Sequence, residues 1–78
     1  MSAEREVIYF AIDAERQRQD MLRPGDTPAD DIDPFRKLAF LVEEVGEASE
    51  ALQERDDYGL AAELVQVAAV AVAWLESL

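Results

Sequence analysis

Residues 34–55 read PFRKLAFLVEEVGEASEALQER, and the fold turns on how they are interpreted. Asp33-Pro34 is a helix start, since an aspartate accepts from the free N–H groups of the first turn and a proline there lacks only an N–H that has no helical partner anyway. At about 100° per residue, Leu38, Leu41, Val42, Val45, Ala48 and Leu52 fall on one stripe, which this periodicity predicts to be core. Glu43, Glu50 and Glu54 fall opposite, as a solvated charged face does. Glu44 lies at the edge of the stripe, with Glu47 one step further round. Two carboxylates three residues apart share a face and can converge on one hard cation.

Upstream, residues 3–21 carry little glycine or proline, and Val7, Ile8, Phe10, Ala11 and Ala14 recur at helical spacing, so a first amphipathic helix is expected there. Residues 23–33 hold Pro24, Gly25 and Pro28 with Asp26, Asp30, Asp31 and Asp33, a composition that supplies turns and no core. Downstream of Arg55, Asp56-Asp57-Tyr58-Gly59 is read as a turn and a fresh acidic start for a third helix over 58–77. No stretch alternates polar and apolar residues over a useful length, so no strand is expected. The expectation is a single all-α domain over 1–78, with helices at 3–21, 34–55 and 58–77 and the last two folded as an antiparallel hairpin.

The chain has 78 residues, too few for a second domain, and 13 of its apolar residues are alanine, so large core side chains are scarce. Between Leu60 and Leu75 the only polar residues are Glu63 and Gln66, again three apart. A helix apolar on nearly all sides in so short a chain calls for burial against another subunit, and a homo-oligomer, dimer or tetramer, built as a helical bundle is expected. The net charge of −11 repels nucleic-acid backbones and anionic lipid, which speaks against both as partners. A small phosphorylated ligand remains compatible if divalent cations held by clustered carboxylates reverse the local field. Without cysteine or histidine there is no thiolate site and no Ser-His or Cys-His pair, so any catalysis rests on carboxylates. The start of the chain lacks the pattern of a signal peptide, and the apolar run at 67–75 is about half of the roughly 20 residues a membrane helix needs, so a soluble cytoplasmic protein is expected.

A hairpin folded near residues 56 and 57 sets Gln66 beside Glu47 and Glu63 near Glu50. Glu44, Glu47, Glu63 and Gln66 then make a carboxylate-rich patch suited to Mg²⁺ or Mn²⁺, both of which take oxygen ligands. An interhelical hydrogen-bond network with one protonated glutamate uses the same four residues without a metal. Gly46 reads as the close approach of another backbone or as room for a ligand. Lys37 and Phe40 project from the sector of Glu44, where a cation and a ring can accompany a phosphate and a base. A surface lysine and a phenylalanine at the core edge are the plainer assignments.

The run Lys37-Leu38-Ala39-Phe40-Leu41-Val42-Glu43-Glu44-Val45-Gly46-Glu47-Ala48, followed after fifteen further residues by Glu63-Leu64-Val65-Gln66-Val67, resembles the MazG-like nucleotide pyrophosphohydrolases. Residues 14–20, AERQRQD, are similar to the first helix of small members. The family is all-α, and its signature is a Glu-x-x-Glu pair, a variable gap and a Glu-x-x-Asp pair that bind Mg²⁺. Glu44 and Glu47 match the first pair and Glu63 the start of the second, while Gln66 stands where the family has aspartate. The resemblance implies a metal-dependent enzyme that cleaves a nucleoside triphosphate between its α and β phosphates, giving a monophosphate and pyrophosphate. It implies Glu44, Glu47 and Glu63 as catalytic metal ligands, Gln66 as a weaker fourth, and Lys37 with Phe40 on the substrate. The competing reading is a helical oligomer on the same scaffold that binds nucleotide or a protein partner without turnover.

Overall fold

A computed structural model of the chain describes residues 4–27, 29, 30 and 33–78. Three helices make it up, α1 (Arg5–Leu22), α2 (Pro34–Gln53) and α3 (Asp57–Glu76), with no strand among the described residues. The expected start of the first helix at residue 3, and Pro28 and Asp31 of the loop, lie outside the described residues.

Local chemistry sets the helix ends. Asp33 caps α2 by accepting from the Phe35 N–H at 2.9 Å, with Pro34 in the first turn as its fixed φ favours. At the other end Asp56 N–H donates to the Ala51 carbonyl (3.0 Å) and Arg55 N–H to that of Leu52 (3.1 Å), while Arg55 takes φ 55°. This paired return is the usual C-terminal closure of a helix, made here by an arginine in the left-handed region where glycine is commonest. The next helix follows at once, because Asp56 caps α3 through the Gly59 N–H at 2.9 Å. Gly59 is therefore part of the first turn of α3 and not of the connecting turn, and its role is to leave room for the Asp56 carboxylate, which a Cβ at that position would strike.

Helix α3 packs on both α2 and α1, whereas α1 packs on α3 alone. The apolar residues buried between them are small: Ala48 and Ala51 from α2, and Ala69, Val70 and Ala73 from α3. No large side chain among the described residues is fully enclosed. The stripe expected to be core is mostly at the surface, with Val42 59%, Val45 50% and Leu52 62% exposed and Leu38 exposed beside them. The alanines explain this correction. Their short side chains let α2 and α3 approach along the row through Lys37, Glu44, Ala48 and Ala51, and that choice turns the larger residues outward. The same holds for α1, where Val7, Ile8 and Phe10 are exposed and the buried positions are Glu15 and Arg16.

Polar clamps fix the ends of α3. Arg16 joins α1 to α3 through Glu76 at 2.6 Å and is held from behind by Asp20 at 2.6 Å. Lys37 is buried, and its ammonium donates to Ser77 Oγ at 2.6 Å, while Ser77 donates on to the Trp74 carbonyl. A buried ammonium on a neutral hydroxyl recovers little of its lost hydration. Lys37→Met, which keeps the stem, is accordingly expected to leave stability unchanged or raise it by about 1–2 kcal/mol in thermal melts. A clear loss of stability would mean that the Ser77 contact outweighs the desolvation.

Candidate functional site

Glu44 and Glu47 stand one helical turn apart on α2, and α3 brings Glu63 against them. One carboxylate oxygen from each lies within 4.8 Å of those from the other two, a spacing at which three oxygens can share one cation. Glu47 is exposed, while Glu44 and Glu63 are half-buried. Glu44 Oε2 and Glu63 Oε2 are both shut off from solvent with no hydrogen-bond partner among the described residues.

Electrostatics follow from this crowding. Burial, joined by the charges of Glu47 and Glu63, a hydrogen bond to Glu47 and the charge of Glu43, pushes the Glu44 carboxyl up to about 7. Glu63 is raised too, by burial first, then by its hydrogen bond to Glu47 and the charges of Glu47 and Glu50. The register thus sets Glu63 against Glu44 and Glu47, with Glu50 as a more distant neighbour. Three carboxylates with two orphaned acceptor oxygens and no cation among their partners are short of positive charge. A hard divalent ion supplies what the set lacks, so these residues fit Mg²⁺ or Mn²⁺.

Gln66, one turn on from Glu63, is turned toward α1, where its Oε1 accepts from Gln19 Nε2 at 3.5 Å. That contact lies at the long limit for a hydrogen bond, and Gln19 Oε1 is itself buried without a partner among the described residues. Gly46 has nothing within 4 Å of the position a Cβ would take, so the expected close approach of another backbone does not occur within the described chain.

Beside Glu44 a cavity of about 230 Å³ opens between the end of α1, the loop after it, α2 and α3. Phe40, Leu22 and Val70 form its apolar wall, and Gln19, Gln66 and Thr27 are among its polar groups. Phe40 is where a ligand-facing ring is expected, and the Arg36 guanidinium lies 5.6 Å from its ring centre on the side of the loop, near Asp26 at 3.8 Å. Lys37 does not line the cavity. It is buried rather than exposed, and its ammonium is committed to Ser77. The cations that do line it are Arg18 and Arg23, which the sequence reading did not single out. Their signal was compositional, since Arg16, Arg18 and Arg23 place three of the seven cationic side chains within eight residues of an otherwise acidic chain.

No protein-family model, curated protein or solved structure matches the chain.

Proposed function

We propose that the chain is a metal-dependent nucleoside triphosphate pyrophosphohydrolase of the MazG-like kind, releasing a nucleoside monophosphate and pyrophosphate by attack of water between the α and β phosphates. The observation that carries this reading is the convergence of Glu44, Glu47 and Glu63 to within 4.8 Å, with two orphaned buried oxygens among them. Bound Mg²⁺ or Mn²⁺ would supply phosphate clamping and a lowered pKa for the attacking water. Glu44, Glu47 and Glu63 hold the ion, and Glu44, whose proton leaves near pH 7, is placed to take the proton of that water. Arg18 and Arg23 at the cavity rim meet phosphate charge, a role the buried Lys37 does not fill.

The scaffold under this proposal is an antiparallel α2/α3 hairpin, supported by the Lys37–Ser77 bond at one end and the Arg55 closure at the other. A second copy covers the outward face of Leu38, Val42, Val45 and Leu52, since four large apolar residues in a row along one helix are a poor solvent face. By length and composition alone α3 could cross a membrane. We read it as the central helix of a soluble cytoplasmic bundle, because Glu63 and Gln66 interrupt it and two other helices pack on it.

The test is a pyrophosphate-release screen over nucleoside triphosphates with Mg²⁺ and Mn²⁺. Release that depends on the metal and on Glu47 supports the proposal, and no release from any nucleotide removes it. A binding module without turnover stays as the second reading, favoured by the Gln19–Gln66 contact, which gives Gln66 a partner other than a metal. Gln66→Asp separates the two. On the enzyme reading the added charge tightens Mg²⁺ binding and raises turnover. On the network reading it deletes a donor and adds a charge beside Glu63, and stability falls by about 2–4 kcal/mol without any gain from metal.

A further inference from the structure

The cavity beside Glu44 measures about 230 Å³, below the ~300–1,000 Å³ of pockets that enclose a whole drug-sized ligand. It has room for one heterocyclic base between Phe40, Leu22 and Val70, with sugar and phosphates lying outside toward Glu44, Arg18 and Arg23. The polar groups facing that space are of one kind. Gln19 spends its amide N–H on Gln66, and its carbonyl oxygen Oε1 is left buried and unpartnered. Thr27 is buried, and its hydroxyl proton is spent on Asp30 Oδ2 at 2.8 Å, so toward the cavity Oγ1 has only lone pairs to offer. Both groups can accept and neither can donate.

We propose that Gln19 and Thr27 make this cavity selective for bases that carry an exocyclic amino group, cytosine or adenine, over their keto counterparts uracil and hypoxanthine. The proposal rests on the nucleotide reading of the neighbouring glutamates and specifies its substrate class. An amino group brings two N–H donors to one point and satisfies both acceptors. A carbonyl in its place sets lone pair against lone pair and leaves both acceptors unpaired, the circumstance in which polar sites discriminate most sharply.

Binding of nucleoside monophosphates tests this without requiring turnover. Calorimetric titration with Mg²⁺ present compares cytidine with uridine monophosphate and adenosine with inosine monophosphate. The amino member of each pair is expected to bind about tenfold tighter or better. Gln19→Met, which keeps length and helix propensity but removes the acceptor, should bring both ratios toward one, and Thr27→Val should reduce them independently, with melting curves confirming folded protein. Equal or tighter binding of the keto members, ratios unchanged in both variants, or no monophosphate binding at all overturns the proposal. Amino selectivity in a chain that releases no pyrophosphate upholds it while removing the enzyme reading. Pyrophosphate release that ignores the amino group does the reverse.

Discussion

Exchanging Glu47 for glutamine is expected to lower pyrophosphate release by about 100-fold or more, since ligands of a catalytic metal are worth at least as much as the ~10–100-fold of groups that only support them. The same exchange should make the metal-free chain more stable. Glu47 is the exposed member of the trio, and its charge acts on both Glu44 and Glu63. Without that charge both half-buried carboxylates ionise more readily and strain the fold less. Activity and metal-free stability therefore move in opposite directions, and the melting increment given by Mg²⁺ shrinks. Coupled assays of pyrophosphate with melts at 0 and millimolar Mg²⁺ check all three. An ordinary salt-bridge network does not predict this pattern, because there the loss of a member costs stability.

The second large effect concerns pH. Glu44 gives up its proton at about 7 in the folded chain against 4.5 for an ordinary glutamate. Between those values the folded state binds more protons than the unfolded state, so stability falls as pH rises through the window. The full difference is roughly 3 kcal/mol above pH 7, which for a domain of this size corresponds to a melting temperature lower by on the order of 10 °C than at pH 4.5. Glu44→Gln should remove this slope and raise the metal-free melting temperature at pH 8. Millimolar Mg²⁺ should also flatten it, because a cation bound to the ionised carboxylates does the work of the proton and binds only the folded state. A metal-free melting temperature that climbs from pH 5 to pH 8 contradicts the assignment of Glu44.

The helices and the three glutamates were readable from local pattern, because capping residues and the i, i+3 spacing act within a few residues of themselves. Asp33-Pro34 marked the start of α2, and Glu44, Glu47 and Glu63 were already a set before any helix packing was known. What could not be read was which side of each helix faces its neighbour. The hydrophobic stripe of α2 gives one answer and its alanines another, and the alanines prevail because two helices approach most closely where side chains are smallest. The fate of Lys37 follows from that choice, since a rotation of α2 toward Ala48 and Ala51 carries Lys37 into contact with Ser77. Arg18, Gln19, Arg23 and Thr27 enter the cavity through the way the end of α1 meets α3, a long-range relation that no local spacing encodes. Gly59 was misplaced for a simpler reason, as it resembles a turn glycine and instead makes space for the cap that Asp56 forms.

Helix α1 rests on α3 and on nothing else. It is thereby the segment that can detach while the α2/α3 pair stays folded, a separate cooperative unit whose backbone amides exchange with solvent at a lower opening free energy than those of the other two helices. The cavity is closed on one side by the last turns of that helix, so each such opening also dismantles the cavity. A ligand seated there touches all three helices at once and acts as a tether, slowing amide exchange along α1 far from any residue it contacts. The grip of Arg16 on Glu76 then governs how often the cavity exists, and through that the fraction of molecules ready to receive a ligand at any instant.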